Sequence, residues 1–112
     1  MSDDVEKCLT FIRDKAKEKS EARASRVYLE QFRKSKKAIL KTEARKAGVK
    51  TDCEAEDYAY AHPDYLEVLE GLKVATEREE YLSLQIEAAK LRIATWQTKS
   101  ADARAERRAY GT

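Results

Sequence analysis

The sequence predicts an all-α fold, a long antiparallel helical hairpin of coiled-coil type with a short helix at the bend. Charged residues make up 39% of the 112 residues, with three Gly and one Pro, which is typical of long helices. Apolar residues recur in the second half at alternating spacings of three and four, a seam that requires a helix packed lengthwise against it. The seam comprises Tyr65, Val68, Leu72, Ala75, Leu82, Ile86, Ala89, Ile93 and Trp96, with Glu79 as its one polar member.

The first long helix is bounded by charge and by glycine. Asp3 suits its positive N-terminal end, and Gly48 is expected as the left-handed residue after its last turn. Residues 17–26 are almost wholly polar, so this stretch is either a solvated part of one continuous helix or a joint that frays.

Two further signals place the remaining helices. Thr51 and Glu54 form a capping box, which begins a short helix. Pro63 suits the first position of the last helix, and Gly111 is expected to end it. We therefore predict a single helical domain over residues 1–112. Its helices span residues 3–47, 52–61 and 63–109.

The first helix is expected to pack along the edge formed by Tyr28, Phe32 and Ile39, which lie within about 40° of one another at 100° per residue. A two-helix hairpin buries only one stripe on each helix, which is thin for stability at this size. Self-association is therefore expected. The apolar side chains off the main seam that would support it are Tyr58, Tyr60, Tyr81 and Leu84.

Charge is strongly segregated, although the net charge is only +2. Residues 31–50, here called the basic run, carry eight basic residues against Glu43 alone, while residues 51–80 carry ten acidic residues against two basic ones. A row of cations on the helix face opposite the packing edge could follow a phosphate backbone. The candidate nucleic-acid-binding residues are Arg33, Lys34, Lys37, Lys41, Arg45 and Lys46.

Two other interpretations of the basic run stay open. In a hairpin folded near residue 55, residues 31–47 lie beside 63–79, so ion pairs between helices could absorb the positive charge. An acidic protein partner could also bind it.

Nothing in the sequence indicates catalysis, a cofactor or a metal site, because no nucleotide-binding, metalloprotease or EF-hand pattern occurs. His62 is interpreted as a turn residue. Cys8 and Cys53 lack metal-ligand spacing and are expected to be small buried or half-buried thiols of a reducing compartment. With no apolar run that could span a membrane and no signal sequence, we expect a cytoplasmic protein, or one of the host-cell cytoplasm if it is phage-encoded.

One stretch resembles the small recombination mediators of phages, of the UvsY type. It runs from Tyr28 to Ala75, YLEQFRKSKKAILKTEARKAGVKTDCEAEDYAYAHPDYLEVLEGLKVA, where a basic helix is followed by a short acidic piece and a helix of mediator-like spacing. The end of the chain, WQTKSADARAERRAYG, is similar in character to the Arg-rich closing helix of that family.

The resemblance implies a non-enzymatic protein that binds single-stranded DNA and assembles into a ring-like homo-oligomer. Such a protein would help load a recombinase onto DNA that is coated by a single-strand-binding protein. The DNA-contacting residues of the family would correspond to Lys37, Lys41 and Arg45. Two alternatives remain: a phage-encoded inhibitor or adaptor that docks on a protein through its acidic residues at 52–57 and 77–80, and a scaffolding helical hairpin.

Overall fold

A computed structural model describes residues 3–110, which form three α-helices, α1 (Asp3–Lys46), α2 (Asp52–Ala61) and α3 (Pro63–Tyr110), with no strand in this range. The all-α prediction is confirmed, and each helix begins and ends within one residue of its predicted bounds. Helix α1 continues through residues 17–26, so this polar stretch is helical. The expected stop at Gly111 lies outside the described residues.

The helix boundaries follow the predicted capping chemistry. Gly48 has a φ of 102°, a left-handed conformation that glycine adopts at little cost. The Thr51 hydroxyl accepts the backbone N–H of Glu54 at 3.2 Å. His62 is extended, as the residue before a proline should be, and α3 begins at Pro63.

The chain divides into two compact units. The terminal unit consists of Met1–Lys19 with Glu80–Thr112, and the bend unit consists of Ser20–Glu79. Each unit therefore contains part of α1 and part of α3, and α2 belongs to the bend unit.

In the bend unit the two long helices run antiparallel, as a hairpin requires. Arg26 pairs with Glu79, while Lys36, further along α1, pairs with Asp64 near the start of α3. The buried core here joins all three helices, with Leu40 from α1 packed in one cluster with side chains from α2 and α3. The other members of this cluster are Ala59, Tyr65 and the partly buried Leu69.

The predicted packing edge of α1 is wrong. Tyr28 and Ile39 are 65% and 56% exposed and Phe32 is half-buried, whereas Leu40 is 1% exposed and Ala44 is fully buried. The helical wheel described α1 alone. It did not include α2, whose Ala59 packs with Leu40 and fixes which edge is covered.

In the terminal unit the helices are also antiparallel. Val5 and Trp96 line one groove between α1 and α3, and Phe11 and Ala88 line another. The core contains Val5, Cys8, Leu82, Ile86 and Ala89, all buried.

The seam of α3 is buried at most of the positions that the sequence predicts. Tyr65, Val68 and Ala75 are buried in the bend unit, as are Leu82, Ile86 and Ala89 in the terminal unit. Leu72 and Ile93 are half-buried. Trp96, expected in the core, keeps 36% of its surface exposed.

The polar member of the seam has its own partners. Glu79 is ion-paired with Arg26, which also donates a 2.8 Å hydrogen bond to Glu30 one turn further along α1. These contacts raise the pKa of Arg26, chiefly through the hydrogen bond with Glu79. A half-buried charge that is paired and hydrogen-bonded can be held in an otherwise apolar seam.

Candidate nucleic-acid interface

The basic run of α1 lies alongside α2, and several of its cations bind acidic side chains there. The Lys41 ammonium is 2.7 Å from a carboxylate oxygen of Asp52, and the Arg45 guanidinium is 2.9 Å from the same oxygen. The Lys37 ammonium is 3.2 Å from Glu56. Three of the six predicted binding residues are therefore ion-paired within the chain.

The pKa values of Asp52 and Lys37 are shifted by these surroundings. The hydrogen bond from Lys41 lowers the pKa of Asp52, because the cation favours the ionised carboxylate. Hydrogen bonding with Tyr60, and secondarily with Glu56, raises the pKa of Lys37. The Lys37 ammonium also lies 4.7 Å from the centroid of the Tyr60 ring, within the range of a cation–π contact.

The pairing follows from which edge of α1 is buried. Leu40 and Ala44 point into the core of the bend unit, so Lys37 and Lys41 flank the buried edge and their side chains are 28% and 17% exposed. They do not lie on the solvent-facing side that the wheel predicted. Lys36 is held in the same way by Asp64, at 3.4 Å.

The other three predicted residues differ. Lys34 and Lys46 are exposed and Arg33 is half-buried, and within residues 3–110 none of the three forms an ion pair. They do not form a row, because Lys46 lies at the end of α1 and on another side of the helix. The basic run thus divides into cations bound to acids and cations open to a ligand.

A second group of cations occupies the C-terminal end of α3, in the terminal unit. Residues 101–110 are all exposed. At 100° per residue, Arg104, Arg107 and Arg108 fall within about 100° of the helix circumference, while Asp102 and Glu106 lie on the opposite face. We call residues 101–110 the arginine end.

Next to the arginine end, Trp96 lines a groove between α1 and α3. The groove, here called the Trp96 groove, has a volume of about 340 Å³. Arg92 and Lys99 lie one helical turn to either side of Trp96 and also line it, with Asp4 as its one acidic residue. An exposed indole between two cations offers a surface on which a base can stack, and the two cations can bind the flanking phosphates.

Sequence reasoning did not select the groove or the arginine end as a site. The signal was present, because residues 81–112 carry six basic residues against three acidic ones. The denser positive charge of residues 31–50 masks this signal, and the register of Trp96 with the packing seam predicts a buried indole.

His62 makes a capping contact, and the two cysteines differ in exposure. His62 is half-buried and its Nδ1 accepts the backbone N–H of Asp64 at 3.0 Å, a capping contact. Cys8 is buried, but Cys53 is exposed, so the expectation of a buried or half-buried Cys53 is wrong.

Among the residues that the structure describes, no group of three or more His, Cys, Asp or Glu side chains is arranged to hold a metal ion. No helix within residues 3–110 has an apolar stretch that could cross a membrane. Comparisons of the chain with protein-family models, curated proteins and solved structures gave no match.

Proposed function

We propose that this chain is a non-enzymatic accessory protein that binds single-stranded DNA without sequence preference. The observation that carries the proposal is the Trp96 groove, where an indole that is 36% exposed lies between Arg92 and Lys99. Single-strand binding proteins combine these two elements, aromatic rings on which bases stack and cations that follow the backbone.

The arginine end extends the same cationic surface within the terminal unit. Its exposed Arg104 and Arg108 face away from the acids of the segment, so a phosphate bound there would meet little repulsion. Arginine also suits phosphate because its planar guanidinium can donate two parallel hydrogen bonds. In the bend unit, Arg33, Lys34 and Lys46 supply separate contacts.

The resemblance to phage recombination mediators gives this binding a role. In that role the chain would act in the cytoplasm, or in the host-cell cytoplasm if it is phage-encoded, and would help a recombinase replace a single-strand-binding protein on DNA. The acidic-docking alternative has weaker support, because Asp52 and Glu56 of the acidic segment are already ion-paired with the chain's own cations.

The test uses the single tryptophan of the chain. Trp96 fluorescence is followed while a thymidine oligonucleotide of about 30 nucleotides is added at low salt, a length that covers a typical binding site. Stacking of bases on Trp96 should quench its emission. Over the same range of concentrations, the fluorescence anisotropy of a labelled strand should rise as the strand is bound.

The variant Arg92→Ala/Lys99→Ala should weaken binding by about tenfold or more, since two phosphate contacts are lost. The control Arg13→Ala/Lys17→Ala removes the same charge from exposed positions of α1 in the same unit and should change affinity by less than about threefold, an effect of net charge alone. No binding at low salt would overturn the proposal.

A further inference from the structure

Helix α3 has a second apolar stripe in the terminal unit, here called the second stripe. It consists of Tyr81, Leu84, Ala88 and Leu91, at spacings of three, four and three. Tyr81, Leu84 and Leu91 are 62%, 60% and 59% exposed. Within the described part of the chain nothing covers them.

The second stripe does not belong to the seam that packs on α1. The buried seam residues of this unit, such as Leu82 and Ile86, lie about 150° around the helix from the second stripe at 100° per residue. A helix that is apolar on two nearly opposite faces requires a partner on each. The terminal unit supplies one of these partners, α1.

The pattern of the second stripe indicates which kind of partner is missing. Taking Tyr81 as position a, Leu84 is d, Ala88 is a and Leu91 is d, with a polar or charged residue at each flanking e and g position through Arg92. A stripe restricted to a and d is the narrow seam of a coiled coil, whereas a helix packed on a broad surface shows a wider apolar face.

The charges flanking the second stripe fit an identical helix. Glu87 is at position g and Arg92 is at the following e. Both are exposed, and neither forms an ion pair within residues 3–110. In a parallel pair of helices, g of one copy faces the next e of the other. Two copies of α3 side by side would therefore form two Glu87–Arg92 pairs.

One buried group beside the second stripe also lacks a partner. The side-chain oxygen of Gln85, at position e, is buried without a hydrogen-bond partner among the described residues. It borders a groove of about 370 Å³ whose lining includes Ala88 and Arg92. A surface that closes over this groove could supply the missing donor.

We infer that the second stripe is the interface between two copies of this chain, paired through α3 in parallel and in register. The proposal does not depend on nucleic-acid binding. A parallel pair would place two arginine ends next to each other, so a bound strand could contact both and gain avidity.

Sedimentation equilibrium of the full chain, from micromolar to sub-millimolar concentration, tests the association. The wild type should form dimers. Leu84→Lys/Leu91→Lys should raise the dissociation constant by at least about 100-fold, because buried leucine contacts are replaced by apposed like charges, with unchanged helix content by circular dichroism. Tyr28→Lys/Ile39→Lys replaces equally exposed apolar residues of the bend unit and should leave the constant within about threefold, as for ordinary surface changes.

Disulfide cross-linking tests the parallel arrangement. Thr95→Cys, at the next a position, is made together with Cys8→Ala and Cys53→Ser so that no other thiol can react. Parallel, in-register helices bring the two new thiols face to face, and oxidation should produce a covalent dimer. A dimer that resists cross-linking would overturn the parallel arrangement. A monomeric wild type, or a Leu84→Lys/Leu91→Lys variant that dimerises normally, would overturn the interface.

Discussion

The basic run of α1 and the arginine end of α3 both carry excess positive charge, but in different surroundings. Lys37, Lys41 and Arg45 lie against acidic side chains of α2 at 2.7–3.2 Å. Residues 101–110 are all exposed, and the acids of this segment lie on the helix face opposite Arg104 and Arg108. A cation that is already paired must lose that partner before it can bind phosphate. The denser cluster in the sequence is therefore the weaker candidate for a ligand site.

The largest expected effect is a loss of stability at Leu40, which packs the part of α1 that carries the basic run against α2. Leu40→Ala should destabilise the protein by about 2–5 kcal/mol, because it leaves a cavity in a core where this leucine is 1% exposed. Its neighbour provides the control. Ile39→Ala should cost less than about 1 kcal/mol, because that side chain is 56% exposed. Chemical denaturation measures both, and equal losses would show that the wrong edge is assigned to the core.

The second prediction concerns a double variant that leaves cations of the basic run without acidic partners. Asp52→Asn/Glu56→Gln deprives Lys37, Lys41 and Arg45 of their carboxylate partners. The released cations should then bind DNA, and affinity at low salt should rise by about three- to tenfold, the effect of one or two added phosphate contacts. Fluorescence anisotropy measures the change.

A matched variant separates released cations from net charge. Glu54→Gln/Asp57→Asn removes the same two charges from exposed positions of the same helix, whose carboxylates form no ion pair among the described residues. It should raise affinity by less than about twofold, an effect of net charge alone. If both variants raise affinity equally, the pairing with α2 does not restrain the basic run.

A third prediction stiffens the bend unit without changing its charge. Gly71 lies inside α3, and a Cβ there would be 3.6 Å from the Leu29 side chain, an ordinary contact. Gly71→Ala should therefore stabilise the protein by about 0.5–1 kcal/mol, the usual difference between these residues inside a helix. Thermal unfolding measures the gain, and a lower melting temperature would indicate that the helices pack more closely there. DNA affinity should not change.

The smallest expected effect is a pH dependence. The pKa of Asp52 is lowered in the folded protein, chiefly by the hydrogen bond from Lys41. Its ion pairs therefore stabilise the fold fully above the unfolded-state pKa of about 3.9, and this contribution is lost as pH falls through the lower folded-state value. Asp52→Asn should be less stable than the wild type at neutral pH, and the difference should shrink in acid. Denaturant midpoints at both pH values measure it. A difference that persists in acid would show that the charge of Asp52 is not what stabilises the fold.

The sequence predicted the helices better than the surfaces. Helix bounds depend on local chemistry, such as the capping box at Thr51 and the glycine at position 48, and the seam of α3 depends on a spacing repeated over several turns. The covered edge of α1 could not be predicted in this way. It depends on where α2 packs, and the contact between Leu40 and Ala59 joins residues from separate helices.

The dependence on contacts between helices also explains why the exposure of the candidate site residues was predicted wrongly. The wheel placed Lys37 and Lys41 towards solvent because it described α1 alone, and the carboxylates that bind them belong to α2. Trp96 was placed in the core because its spacing fits the seam. Its 36% exposure arises near the end of the packed region, since α1 begins at Asp3 and leaves the last turns of α3 exposed. The spacing of apolar residues identifies which face of a helix packs, but not how far along that helix the partner helix extends.

The most direct test of the account is the salt dependence of single-stranded DNA binding. The logarithm of the binding constant, plotted against the logarithm of salt concentration, should fall steeply for the wild type. Arg104→Ala/Arg108→Ala should reduce the magnitude of that slope by roughly 1.4, two contacts at about 0.7 each, while Lys37→Ala/Lys41→Ala should leave it unchanged. A slope reduced by the lysine pair and not by the arginine pair would contradict the account.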